Sequence, residues 1–415
     1  VSLSPRSEHV VVLGAGYGGL PCALSLGHAV QKRGPSARVR VTLINREPRQ
    51  ELTCELFRAL RTGSAEYFPF LPAVRRAGVQ FVEGSVHSIH PAERRIDVRG
   101  ERHQILHYDS LVVATGGKAR VPEIEGLKDL LDPPAPNERS VFLFRNNLQV
   151  QALRMALRRI GWGPEPTRLG RDLFVVVLGA GATGLEVAGE LANLRGRNAT
   201  ARVVVVESDP DLLPDFSPLA RRVLKRELHR LRIETVLGSP AERITANELH
   251  IRNGQVIPWD LLVLCTGNRR PTLLDAFGEA RTERGLRTRG NLEVAGFPRH
   301  FAVGDMADLA LPDGRQLAAR AQFAAQEGRF VAQVLAERLL GGSNARPKFR
   351  AFDPGELGYL VSLGPYSGLG RLGAGARSGL GRVLSPFVAG PPVDELKRLA
   401  KLKYLAELRL ASWRR

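Results

Sequence analysis

Six glycines in two sets of three are the residues whose spacing most clearly allows chemistry. Gly14, Gly16 and Gly19 stand in VVVLGAGYGGL at 10–20, with Gly18 among them, and Gly179, Gly181 and Gly184 stand in VVVLGAGATGLE at 175–186. A G-x-G-x-x-G turn lets a dinucleotide's pyrophosphate approach the main chain closely. The first two glycines make the tight turn without a Cβ, and the third lets the following helix pack on the strand. The helix N-terminus then presents free N–H groups and a positive dipole end to the phosphates. One copy alone would fit an ordinary strand–helix turn equally well. Here each copy follows an apolar, mostly β-branched run and precedes a helix-like stretch, the context the motif requires.

A second feature repeats in the same order. YDSLVVATGGKARVP at 108–122 is matched by WDLLVLCTGNRRP at 259–271. Each joins an aromatic residue and an Asp to a buried strand, a Thr-Gly turn and a proline. The chain therefore contains two related nucleotide-binding units. Ala114, Thr115 and Gly116 close the first and Thr266 and Gly267 the second, while Val86 joins the candidate contacts of the first. The residue ending each unit's second strand discriminates between nucleotides, because a carboxylate there holds ribose hydroxyls and repels a 2′-phosphate. In the second unit it is Glu207, with no Arg across 208–215, which favours NADH over NADPH. In the first it is Asn45, beside Arg46 and Glu47. Asn can still bond a ribose, so the first assignment leans on FAVGDMADL at 301–309. There Gly304-Asp305 ends a short apolar strand, where flavoproteins of this kind set an Asp on the ribityl chain of FAD.

These motifs need a doubly repeated α/β framework. The pattern predicts a strand over 10–13, a helix over 20–32 and a strand over 39–44, then strands within 79–98 and a helix near 147–160. A second unit follows over 173–267, then a helix over 317–340, strands over 349–363, a glycine-rich stretch at 367–390 and a last helix over 393–411. The expected fold is α/β with two Rossmann-like domains, the NADH domain inserted in the FAD domain, and a small C-terminal membrane-associating region. The boundaries fall at 1–135 and 291–345 for the FAD domain, 136–290 for the NADH domain and 346–415 for the C-terminal part.

Composition narrows the class. A chain of 415 residues suggests two or three domains, and 43% hydrophobic residues supply their cores. The net charge of +18 is concentrated in 346–415, which holds 13 basic and 5 acidic residues. Charge of this sign suits anionic lipid, acidic partners or nucleic acid, but no recognised nucleic-acid motif accompanies it, so none is expected. Cys22, Cys54 and Cys265 have no C-x-x-C spacing, which argues against a disulfide framework, a zinc site and a redox-active dithiol. No signal peptide is recognised, and no 18-residue window is continuously apolar.

Taken together, GAGYGG, YDSLVVATG, VVVLGAGATGLEVAGELA, VVVVESDPDLLP, FAVGDMA and AQFAAQEG resemble the type II NADH dehydrogenases, single-chain NADH:quinone oxidoreductases that pump no protons. The first five motifs are shared with the wider class of two-dinucleotide flavoproteins. The sixth, at 321–328, is narrower and fits the family's A-Q-x-A-x-Q-x-G segment beside flavin and quinone. The resemblance implies FAD and NADH as cofactors, hydride transfer from NADH to the flavin, and two electrons passed on to a quinone. It implies that Gln322 and Gln326, on one helix face, bond flavin or quinone carbonyls. Glu186 and Glu190 fall on the family's two Glu positions, with Glu190 a candidate proton relay or a surface glutamate. The helix beginning near Leu317 would aim its positive end at the flavin.

Two departures stand beside that resemblance. The family's aromatic-Thr-Pro-Leu-Leu segment corresponds here to Thr53-Cys54-Glu55-Leu56-Phe57, so Cys54 lies either near the flavin or in the packing, and Cys22 and Cys265 read as core. The tail is less apolar than usual, but Leu396, Leu399, Leu402, Leu405 and Leu408 form a helical stripe with Lys397, Arg398, Lys401 and Arg409 largely off it. With Trp413 and two terminal arginines it reads as a helix for an anionic membrane surface. A helix packing on this chain or on a second subunit, making a homodimer, is the alternative. The expected location is the cytoplasmic face of the cell membrane, peripherally bound. Competing readings are a soluble reductase of a ferredoxin-like or rubredoxin-like partner and a basic flavoprotein with a binding role.

Overall fold

The apolar runs ahead of the glycine turns become central strands, because a parallel sheet is covered on both faces and tolerates continuous Val and Leu. In the computed structural model, which describes residues 7–34, 37–131, 140–165, 171–341, 351–373 and 387–410, two five-stranded parallel sheets result. The first has the order His300–Ala302, Ser110–Val113, Glu8–Leu13, Val39–Asn45, Gln80–Glu83. The second has the order Ser140–Leu143, Leu261–Leu264, Leu173–Leu178, Ala201–Val206, Ile233–Val236. In both, the strand before the glycine turn lies between the strand ending at Asn45 or Glu207 and the strand leading to the Thr-Gly turn. Leu13 pairs with Ile44 and Val113, and Leu178 pairs with Val206 and Leu264.

The chain leaves the first sheet after Val113, builds the second between residues 140 and 264, and returns as His300–Ala302 beside Ser110–Val113. The repeat extends to a three-stranded antiparallel sheet in each half, Ser85–His90 with Arg95–Arg99 and His103–His107, and Ala241–Ile244 with Glu248–Ile251 and Val256–Pro258. A short antiparallel ribbon, Lys118–Ala119 with Asn268–Arg269, ties the halves together directly after their Thr-Gly turns.

Helix Gly19–Arg33 follows the first turn and helix Ala182–Arg195 the second. Helix Asn147–Arg159 is capped by Asn146, whose side chain accepts from Gln149 N at 3.0 Å. The helix expected from Leu317 begins at Ala321 instead. Residues 310–317 fold back as a hairpin, with Leu317 N donating to Leu309 O at 2.9 Å, so the helix cannot extend through them. Among the described residues of 349–363 only Gly358–Ser362 is a strand, paired with Gly368–Leu372 and, through it, with Phe387–Ala389. Ahead of that strand, Gly355 and Leu357 are held by glutamine side chains. The last helix is Pro392–Leu410. Trp413, Arg414, Arg415 and most of the glycine-rich stretch lie outside the described residues.

Candidate functional site

The two glycine turns have the same geometry. Gly14 has φ +94° and Gly179 has φ +98°, and a Cβ on either would lie 2.5 Å from a carbonyl oxygen, of Ala114 or Cys265. Gly19 and Gly184 press against the carbonyls of Gly14 and Gly179 so closely that any side chain would collide. Gly16 and Gly181, in contrast, face open space with no heavy atom within 4 Å of a Cβ. Tight turn, open approach and close packing therefore fall on the first, second and third glycine in each half. This is a cradle that fits a pyrophosphate twice.

The positions ending each second strand also correspond. Asn45 Oδ1 accepts from Ala15 N at 3.1 Å, and Glu207 Oε2 accepts from Ala180 N at 2.7 Å. Asn45 thus does the main-chain work of the carboxylate without its charge. Glu207 Oε1 accepts from Ser208 Oγ and from Asp209 N, which fixes its orientation at the sheet edge. Arg46 is exposed and lines a polar hollow with Ser85, Arg99 and Arg102; Val86, half-buried, pairs with Val98 next to it.

Asp305 lies where the two halves meet. Its Oδ2 accepts from Gly117 N at 3.1 Å and from Asn268 Nδ2 at 3.0 Å, with Arg145 Nη2 at 3.5 Å. Thr115 Oγ1 donates to Met306 Sδ at 3.3 Å, joining the first Thr-Gly turn to the Gly304–Met306 turn. Gly304 takes φ +64°, as do Gly116 at +68° and Gly267 at +84°, a region that favours glycine. Thr266 Oγ1 donates to Arg120 O at 2.7 Å, so the second turn is held to the first half. Beneath Gly304 sits Glu327, 3% exposed, whose Oε2 accepts from Gly304 N. Burial, with Asp305 nearby, pushes its carboxyl up to about 7. Glu327, Arg145 and Asn268 are functional candidates that sequence reasoning missed.

Helix Ala321–Leu340 crosses helix Gly19–Arg33 at Gly328, where a Cβ would collide with Gly18 O; Gly18 in turn abuts Val303. The glycines of the two motifs are thus steric partners. The glutamines on the same helix face the segment 355–358. Gln322 Nε2 donates to Gly358 O at 2.8 Å and its Oε1 accepts from Leu357 N at 3.0 Å. Gln326 Nε2 donates to Gly355 O at 2.8 Å and its Oε1 accepts from Gly355 N at 2.9 Å. Both amides clamp the main chain in this structure, where sequence reasoning assigned them to cofactor or quinone carbonyls.

Glu186 and Glu190 are buried rather than on the surface of their helix. Glu186 pairs with Lys397 of the last helix and accepts from Ser362 N at 3.3 Å. Glu190, fully buried, accepts from Arg61 Nε at 3.1 Å, while its Oε1 and Arg61 Nη2 have no partner among the described residues. Burial pushes both carboxyls up, against the pull of Lys397 and Arg61. Beside them Arg58 bridges Glu55 at 2.6 Å and Asp394 at 2.6 Å. Burial opposes charge on Asp394, but its bonds to Arg58 and Ser362 win and hold it below the usual range.

The family model for pyridine nucleotide-disulphide oxidoreductases matches residues 8–328. The chain belongs to the pyridine nucleotide-disulphide oxidoreductase family. Within this family its three cysteines form no disulfide: Cys22 is buried, Cys265 partly buried and Cys54 exposed. Cys54 therefore does not pack into the core, and its N–H lies 3.5 Å from the Tyr17 hydroxyl on the first glycine turn. Burial pushes the Cys22 thiol up to about 12 and the Cys265 thiol higher still, so both are inert.

Among curated relatives, an NADH dehydrogenase-like protein of Mycobacterium tuberculosis is 28% identical over 331 residues, 77% of this chain and 78% of the relative. The type II NADH:quinone oxidoreductase of Staphylococcus haemolyticus is 27% identical over 391 residues, 88% and 89% of the two chains. Among solved structures, NDH2 from Plasmodium falciparum in complex with NADH superposes with a TM-score of 0.78 at 16% identity, covering 98% of this chain and 97% of that one. A ferredoxin reductase of Rhodopseudomonas palustris superposes with a TM-score of 0.66 at 21% identity, covering 88% and 82%. Both structural likenesses speak to the fold, which is shared across such reductases.

The last helix reverses part of the sequence expectation. Lys397 and Lys401 point inward to Glu186 and Glu66, and Leu408 is buried. Leu399, Leu402 and Leu410 are each more than half exposed and form an outward ridge with Ala406, flanked by Arg398, Lys403 and Arg409. The apolar stripe is divided because the charged network of Glu186, Asp394 and Arg58 claims the helix's other face.

Proposed function

We propose that this chain is an FAD-dependent NADH:quinone oxidoreductase of the type II kind, which moves electrons without pumping protons. The observation that carries the reading is the pair of matched pyrophosphate cradles with different second-strand residues. The cradle with Glu207 suits NADH, and the cradle followed by Asp305 suits FAD. In this reading Gly14, Gly16, Gly18, Gly19, Asn45, Arg46, Val86, Ala114, Thr115, Gly116, Gly304 and Asp305 hold FAD. Gly179, Gly181, Gly184, Glu207, Thr266 and Gly267 hold NADH, with Glu186 joining their helix to the last one. The flavin, when bound, accepts hydride from NADH and returns two electrons to the acceptor. Glu190, paired with Arg61 in its buried niche, is the proposed proton relay, and Gln322 and Gln326 fix the wall at 355–358. The quinone is supported by the names of the relatives that match along nearly their whole length.

The proposed domain division keeps FAD-domain parts 1–135 and 291–345, NADH domain 136–290 and C-terminal part 346–415. Quinones dissolve in the bilayer, so the enzyme must reach its surface. No helix among the described residues is long and apolar enough to cross a membrane. The leucine ridge of Pro392–Leu410 would dock peripherally, on the cytoplasmic face where NADH is supplied. Purified protein should oxidise NADH with a short-chain quinone and much more slowly oxidise NADPH. A chain that binds FAD and NADH yet reduces no quinone would overturn the acceptor assignment. Ferredoxin reduction in its place would make it a soluble reductase.

A further inference from the structure

We infer that Arg145 and Asn268 act as positioning residues that bolt the second nucleotide unit onto the Asp305 turn of the first, and so set how the two nucleotides face each other. Arg145 lies two residues past the edge strand Ser140–Leu143 of the second sheet, and the intervening Phe144 N still donates to Leu264 O at 3.2 Å. Its guanidinium reaches out of that unit to Gly117 O at 2.9 Å and to within 3.5 Å of the Asp305 carboxylate. Asn268 follows the second Thr-Gly turn and donates to the same Asp305 oxygen at 3.0 Å. Gly117 completes the junction. It donates to Asp305, and a Cβ on it would lie 2.8 Å from the Asn268 Cβ.

Three donors from the two units thus converge on one carboxylate oxygen and one carbonyl. The ribbon Lys118–Ala119 with Asn268–Arg269 begins at this junction, so its register is set there. The side chains of Arg145 and Asp305 are 32% and 23% exposed, which partly shields the pair from water. Loss of either second-unit contact would leave a hinge at the site where the units must stay aligned. The turn and helix contacts that would hold each nucleotide by itself would remain.

The inference rests on the assignment of FAD to the Asp305 unit and NADH to the Glu207 unit, but not on quinone as acceptor. The test therefore uses R145Q, N268A and the conservative R145K with no quinone present. Amide exchange across 118–120 and 268–269 is measured on the purified protein, alongside the long-wavelength absorbance that appears when nicotinamide stacks on flavin. R145Q should exchange at the ribbon roughly tenfold faster and lose most of that absorbance, while its flavin affinity stays within about threefold of the parent protein. R145K should recover part of both signals. Unchanged exchange and absorbance in R145Q and N268A would overturn the inference. So would outright loss of flavin from R145Q, since Arg145 would then serve the flavin rather than the junction. A working quinone assay with these negative results would leave the functional reading standing and remove only the bolt.

Discussion

Replacing Glu327 with Gln tests whether the carboxyl beneath Gly304 is as buried as its geometry says. Its folded carboxyl titrates at about 7, against about 4.3 for an unperturbed Glu. The folded protein holds this proton to higher pH than the unfolded chain does. The group's contribution to stability is therefore greatest below the unfolded carboxyl's range and declines as pH rises through the interval toward 7. Each unit of difference is worth about 1.4 kcal/mol, so between pH 5 and 8 the parent protein should lose roughly 2–3 kcal/mol through this group alone. Gln carries no titrating proton and keeps an oxygen able to accept from Gly304 N. Urea unfolding of parent and E327Q at several pH values, in one buffer series, isolates the effect because the other titrating groups are common to both. The parent curve should fall more steeply over that window, and E327Q should gain on it as pH rises. Parallel curves, offset or not, would refute the reasoning, because they would mean that Glu327 titrates as an ordinary solvated carboxyl.

Three further outcomes follow from the geometry. Q322A should free the 355–358 segment and lower its protection against amide exchange by about 1 kcal/mol, the cost of unmaking two partly exposed bonds between its side chain and the main chain; exchange-mass spectrometry checks it. E207Q should narrow the preference for NADH over NADPH by roughly tenfold in kcat/KM, since a 2′-phosphate no longer meets a carboxylate. L399E combined with L402E should cut sedimentation with anionic vesicles sharply while leaving NADH oxidation by a water-soluble quinone unchanged. Persisting sedimentation would place the membrane contact elsewhere.

What the sequence made legible was what acts over a few residues. Each glycine turn announces itself because strand, glycine spacing and helix are contiguous, and Glu207 can be found by following the next strand to its end. The contacts that complete the site join residues far apart in the chain. Arg58 meets Asp394 across 336 positions and Lys397 meets Glu186 across 211. No periodicity encodes such a pairing, so the sequence suggests lipid-facing charges at Lys397 and Lys401, whereas the fold pairs them with Glu186 and Glu66. Glu327 was hidden for a different reason. It sits within AQFAAQEG between two glutamines and a glycine that each carry a recognisable signal, and its contact with Gly304 comes only from the tertiary crossing of this helix with helix Gly19–Arg33 at Gly328.

The comparison of Asn45 with Glu207 shows how far a motif can be trusted. In sequence the two positions look unequal, one matching expectation and the other failing it. In three dimensions both accept from the N–H of the residue after the first turn glycine, at 3.1 and 2.7 Å. The shared task is therefore to brace the turn, and it requires an oxygen rather than a charge. The charge is a separate property that acts on whatever approaches the ribose end of the cradle, and it is present only in the second unit. An Asn there costs the first unit nothing in turn geometry but removes its repulsion of a phosphorylated ribose. N45D should consequently leave folding and flavin retention nearly unchanged, because the brace is preserved. Loss of flavin on that substitution would mean that holding the cofactor needs the neutral amide of Asn45, and not only its oxygen.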